Sequence, residues 1–149
     1  MERSINMIEA CSQLIGKQIT KIIAGGNNGS IVVLDIGVKE YCLFIECVWR
    51  LEFGKTVLTG WNESPDINNG NLTKQITTLK EDFIDGVELS DFYDLKITFK
   101  SGKILNVFCD VTPHSEPSDY DENWSLCNIT LNQCFCVNRN FQIDVTKWT

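Results

Sequence analysis

The chain has 149 residues, a hydrophobic fraction of 43% and a net charge of −7, which excludes a disordered tail and disfavours direct contact with a phosphate backbone. No apolar run approaches the roughly 18 residues that span a bilayer, and Glu2 and Glu9 interrupt the N-terminal apolar residues, so neither a membrane segment nor a signal peptide is expected. The expectation is one domain over residues 1–149, cytoplasmic, with its seven cysteines as reduced thiols packed like small apolar side chains.

Ser4 is placed to cap a helix whose apolar positions are Ile5, Ile8, Cys11 and Ile15, with Leu14 beside them, until Gly16 stops it. The period then becomes that of strands. "QITKIIAG" and "SIVVLDIG" are β-branched runs joined by "GNNG", a turn signal. "EYCLFIECVWRLEF" reads as one or two strands, apolar on both faces at its start and therefore central in a sheet. "KTVLTGW" can pair with it across Gly54, and "SPDINNGN" is loop chemistry. Asn71 is placed to cap a second helix with Leu72, Ile76, Leu79 and Phe83 on one face. Beyond it come "GVELS", "DLKITF", "ILNVFCDV", "WSLCNITL", "CFCVNRN" and "FQIDVTKW", with "KSG" as a hairpin turn. The pattern is α+β: mainly antiparallel β-sheet with one N-terminal and one central helix.

A two-fold internal β repeat is expected over 14–53 and 83–145. Each half opens a strand near a glycine, continues through a hairpin and closes on a Trp-x-Leu strand, "WRLE" or "WSLC". Gly37 precedes Trp49 by 12 residues, whereas Gly102 precedes Trp124 by 22. The second unit thus carries an insertion, and it contains "HSEPSDYDENW", with the only histidine, His114.

That insertion is acidic. From Ile104 to Asn138 there is no Lys or Arg, and Asp110, Glu116, Asp119, Asp121 and Glu122 give the segment −5 of the total −7. His114-Ser115-Glu116 matches the first triplet of zinc deaminases, but no P-C-x-x-C follows, and Pro113 and Pro117 oppose a helix through it. A zinc site would have to draw on His114 with Cys109, Cys127, Cys134 and Cys136, and the chain has no C-x-x-C pair. Cys134 and Cys136 share one face of a strand, as buried core cysteines also do. Calcium-loop, nucleophile-elbow, Walker and dinucleotide patterns are absent. No cofactor, no metal and no catalytic residue is therefore expected. What remains is a partner-binding surface of Glu116, Asp119, Tyr120, Asp121 and Glu122, in which carboxylates steer a basic protein and the aromatic supplies contact area. Trp49 and Trp124 open strands and are expected in the core. Trp148, at the end of the chain, is placed to cover a sheet edge.

The two W-x-L strands and the acidic "DYDENW" stretch resemble small bacterial immunity proteins of polymorphic-toxin and contact-dependent inhibition systems. The resemblance implies a non-enzymatic domain that binds a cognate toxin, of a basic nuclease type, and occludes it. Two alternatives stand beside it: a structural or interaction domain, homodimeric through a strand edge, and a zinc enzyme using His114 and cysteines.

Overall fold

The structure, a computed structural model, describes residues 6–67, 70–110 and 122–148. Alternating apolar side chains build its strands: β1 Ile19–Ala24, β2 Val32–Ile36, β3 Tyr41–Ile45, β4 Val48–Phe53, β5 Thr56–Gly60, β6 Ile84–Leu89, β7 Leu95–Phe99, β8 Lys103–Phe108, β9 Glu122–Asn128, β10 Gln133–Asn138 and β11 Ile143–Thr146. They form two antiparallel sheets, one of six strands in the order β1-β2-β3-β9-β10-β11 and one of five in the order β5-β4-β8-β7-β6. The inward side chains alternate as the pleat requires. Val32, Leu34 and Ile36 on β2, Leu43 and Ile45 on β3, and Leu126 on β9 meet Leu51, Ile97, Phe99, Leu105 and Val107 in one continuous core. The chain is thus mainly antiparallel sheet with two helices, as its periodicity predicts.

The connectivity decides what lies at each end of the sheets. β1, β2 and β3 run as a meander in the six-stranded sheet, after which Glu46 and Cys47 carry the chain across to β4, in the other sheet. β6, β7 and β8 form a meander in the five-stranded sheet, and residues 109–121 carry the chain back to β9, beside β3. The "EYCLFIECVWRLEF" run is therefore two strands in two sheets, and β3 is central, between β2 and β9. β4 pairs with β5 across Gly54, and β7 with β8 across the turn at Gly102.

The first helix, α1, spans Met7–Ser12, and its cap is Asn6, whose Oδ1 accepts the Glu9 amide at 2.8 Å. Ser4 and Ile5 lie outside the described residues. The inward face differs from the expected one. Ile8 is 71% exposed and Ile15 49% exposed, while Met7, Ala10, Cys11 and Leu14 are buried. Starting at Met7, the i, i+3, i+4, i+7 stripe falls on those four residues, and Ala10 lets the helix backbone approach the core. The second helix, α2, spans Asn71–Ile76 and runs on into a 3-10 turn, Thr77–Leu79. Leu72, Ile76 and Leu79 are buried as expected. Gly70 holds the cap position instead of Asn71, which donates from Nδ2 to the Leu58 carbonyl at 2.9 Å and to Glu63 at 3.1 Å, tying the helix to β5. Phe83 lies past the helix in a bridge to Gln18 and is 41% exposed, so it is no part of the helical face. Among the described residues no helix is long and apolar enough to cross a membrane.

Both early-strand tryptophans are core residues. Trp49 donates from Nε1 to the Ser30 carbonyl and Trp124 to the Tyr93 carbonyl, each at 2.8 Å, which satisfies the one polar group that burial of an indole leaves. The expectation of seven reduced thiols is corrected at one pair: Cys127 on β9 and Cys134 on β10 are disulfide-bonded, with Cα atoms 4.0 Å apart. They are direct partners in register, and the strand pairing brings the two thiols together.

Candidate functional site at the root of the acidic loop

Of the residues expected to bind a partner, Glu116, Asp119, Tyr120 and Asp121 lie outside the described residues, as does His114. Glu122 opens β9, half-buried, and its Oε2 accepts the Ser125 hydroxyl at 2.7 Å. What the structure describes is the root on which the acidic stretch stands.

The root is organised by Asn123. In the β9–β10 register Trp124 faces Val137 and Glu122 faces Asn138, so Asn123 is the extra residue of a β-bulge. A bulge re-aims a side chain, and this one is fully buried. Its Oδ1 accepts the Asp110 amide at 3.0 Å, and its Nδ2 donates to the Asp110 carbonyl at 3.4 Å and to the Asn138 carbonyl at 3.2 Å. The last residue described before the loop is therefore hydrogen-bonded to the second residue described after it. Asn123 also holds the other crossover, because its backbone carbonyl accepts the Glu46 amide at 2.9 Å.

Charge collects at this end of the sheets. Glu46 is half-buried; burial, and next the neighbouring Glu122 carboxylate, raise its pKa above the ordinary carboxylate range, while Arg139 opposes the shift. Arg139, on the β10–β11 turn, donates from Nη2 to the Glu46 carbonyl at 3.2 Å, and its buried Nε has no partner among the described residues. On the inward side, the Cys109 amide donates to Asp94 Oδ1 at 2.8 Å and its thiol to the Tyr93 carbonyl at 3.2 Å. Burial, and then Asp94, push that thiol up to about 12, and burial pushes the Cys47 thiol up as well, so neither is a ready nucleophile.

Glu46, Asn123 and Arg139 were not among the residues expected from the sequence. Glu46 sits in a strand-like run, and only the switch between sheets at Glu46-Cys47 exposes it. Asn123 reads by alternation as a partner of Ser125 and Cys127 on one face, and the bulge removes it from that face. Of the residues considered for zinc, Cys127, Cys134 and Cys136 lie together on one sheet face, where Cys127 and Cys134 share a disulfide; Cys109 belongs to the loop root, and His114 lies outside the described residues. Among the described residues no group of three or more His, Cys, Asp or Glu is arranged to hold a metal ion. The site can present carboxylates from a fixed platform to a cationic surface. Comparison with protein-family models, curated proteins and solved structures finds no match to this chain.

Proposed function

We propose that this chain is a non-enzymatic immunity-type protein that binds a basic toxin domain of a nuclease kind and covers its active cleft with Glu116, Asp119, Tyr120, Asp121 and Glu122. The observation that carries the reading is the clamped root. The acidic stretch, part of a segment of −5 without Lys or Arg, is flanked by Asp110 and Asn123, which the buried asparagine side chain joins by hydrogen bonds to the Asp110 backbone. Glu46 adds a half-buried carboxylate beside it, whose pKa burial and Glu122 raise against the opposing Arg139. A partner's arginine would offset that shift while accepting the geometry a carboxylate pair offers. Fixed carboxylates also steer a basic partner during diffusion.

The reading extends to the architecture: two copies of one unit, over 14–53 and 83–145, build the scaffold, and the acidic stretch is the departure from their symmetry. Several observations support this. Each unit runs a three-strand meander and then sends a Trp-x-Leu strand into the opposite sheet. β1 and β6 both carry a register shift near their start, between Ile19 and Lys21 and between Ile84 and Gly86. Trp49 and Trp124 each donate to a carbonyl two residues before the second strand of their own unit, Ser30 before β2 and Tyr93 before β7. Function placed on a segment between the strands of a scaffold is the usual division of labour.

The test is co-expression with the C-terminal domain of the protein encoded immediately upstream. Growth restored by this chain, and lost again when the four carboxylates are changed to amides, supports the reading. Unrelieved toxicity, or an upstream product that is harmless, overturns it. A homodimer is the second reading, favoured by Val57, exposed on the edge strand β5 of the five-stranded sheet, with Val48 and Phe53 exposed on the neighbouring β4. Sedimentation distinguishes the two, since a stable dimer that buries this edge supports the second.

A further inference from the structure

The outer face of the six-stranded sheet carries a row of chemically related side chains that the loop does not involve. Reading across the register, Asp35 on β2 faces Cys42 on β3, Cys42 faces Cys127 on β9, Cys127 faces Cys134 on β10, and Cys134 faces Thr146 on β11. Cys136, on the same strand face as Cys134, sits one row away opposite Ser125. Cys42, Cys127, Cys134 and Cys136 form a cluster separate from the main core, 4–6% exposed, with Val33, Phe44 and Trp148 packed against it. Trp148 therefore does not cap a sheet edge; its ring lies 6.2 Å from that of Phe44 over this face.

Cys127 is the middle member. On one side it is bonded to Cys134. On the other, Cys42 is its direct antiparallel partner, and such partners hold their Cα atoms about 4.5–5.5 Å apart, inside the range of about 4.4–6.8 Å that a disulfide spans. The Cys42 thiol donates to Asp35 Oδ1 at 3.4 Å, and a surface cavity of about 340 Å³ lined by Asp35, Lys39, Cys42 and Trp148 opens beside it.

We propose that this row is a thiol–disulfide exchange site in which Cys127 is held alternately by Cys134 and by Cys42. In the exchange the Cys42 proton passes to Asp35, and the Cys42 sulfur attacks Cys127 Sγ. The Cys127–Cys134 bond breaks, and Cys134 leaves as a thiolate that recovers the proton. One disulfide and one thiol stand on each side of the step, so no oxidant or reductant is consumed. Burial, and then the Asp35 hydrogen bond, push the Cys42 thiol up to about 12, so little thiolate is present and the exchange is slow. The exchange moves the cross-link from residues 7 apart in one hairpin to residues on β3 and β9, which come from the two halves of the chain.

Peptide mapping after acid quench and alkylation tests this on the full chain, equilibrated in glutathione buffers from fully reduced to fully oxidised. The expected result is a minor Cys42–Cys127 cross-linked peptide in the wild type, the dominant one in Cys134→Ser, and none in Cys42→Ser. A wild type that never yields the Cys42–Cys127 peptide at any buffer composition overturns the proposal. So does a folded Cys134→Ser chain in which Cys42 and Cys127 are recovered only as thiols or glutathione adducts. The wild-type measurement decides the matter should Cys134→Ser fail to fold.

Discussion

Replacing Asn123 with alanine removes the clamp at the root of the acidic loop. The buried amide takes part in three hydrogen bonds, to the Asp110 amide, the Asp110 carbonyl and the Asn138 carbonyl. Two of them are at normal lengths of 3.0 and 3.2 Å, and the third, at 3.4 Å, is weak. At a net of about 0.5–1.5 kcal/mol per good bond, with a further cost for polar groups left in a dry site, the loss is about 3 kcal/mol. For a chain of this size that is a fall in Tm of roughly 6–12 °C. Urea denaturation of wild type and variant measures it, with the slope checked for constancy. A loss below about 1 kcal/mol would mean that water replaces the amide without cost and that Asn123 does not clamp the root. Asn123→Asp sharpens the test. It keeps the acceptor for the Asp110 amide but loses both donations and brings a carboxylate near Glu46 and Glu122. Its deficit should be larger at neutral pH than at a pH where the new acid is protonated.

Glu46→Gln should stabilise the chain at neutral pH and change little in acid. The sign follows from the raised pKa: the folded state holds the Glu46 proton more tightly than the unfolded state, so the stability it contributes is present below the ordinary carboxylate pKa and lost as pH rises through the elevated value. Parallel urea titrations on either side of that window check it. Gly25→Ala should cost about 2–5 kcal/mol, because Gly25 has φ +77° and a Cβ there would lie 2.7 Å from the Pro65 carbonyl and against Thr73 Oγ1; thermal unfolding reads it directly. Trp124→Phe should cost about 2–4 kcal/mol, by loss of the bond to the Tyr93 carbonyl and of buried volume, and Trp49→Phe a similar amount if the two halves are equivalent.

Most of the strand content was legible because β-branched alternation is a local signal, and "SIVVLDIG" or "DLKITF" needs no tertiary context to be read. Helix faces were less so. The expected stripe began at Ile5, but packing against β6 and β9 buries the stripe that begins at Met7 and leaves Ile8 and Ile15 exposed. The Cys127–Cys134 disulfide was missed because an odd number of cysteines without an export signal reads as reduced thiols, although the two face each other across one hairpin. The adjacency of Cys42 and Cys127 was not legible at all, because it comes from the chain changing sheets twice. Asn123 was hidden for a related reason. Period-two reading assigns it to the outer face, and a one-residue bulge set by the β10 register turns it inward. The acidic stretch itself was visible from composition alone, whereas Glu46 joins its root only through the fold.

The acidic stretch is proposed to meet a basic protein surface. The most direct measurement is the association rate of this chain with the proposed toxin partner, the C-terminal domain of the protein encoded immediately upstream, by stopped-flow at about 0.02 and 0.5 M salt. It should be made for the wild type and for the variant carrying Glu116→Gln, Asp119→Asn, Asp121→Asn and Glu122→Gln. The prediction is a wild-type rate that falls at least about tenfold with salt and a variant rate that is low and nearly flat. Equal rates for the two chains, unchanged by salt, would contradict it.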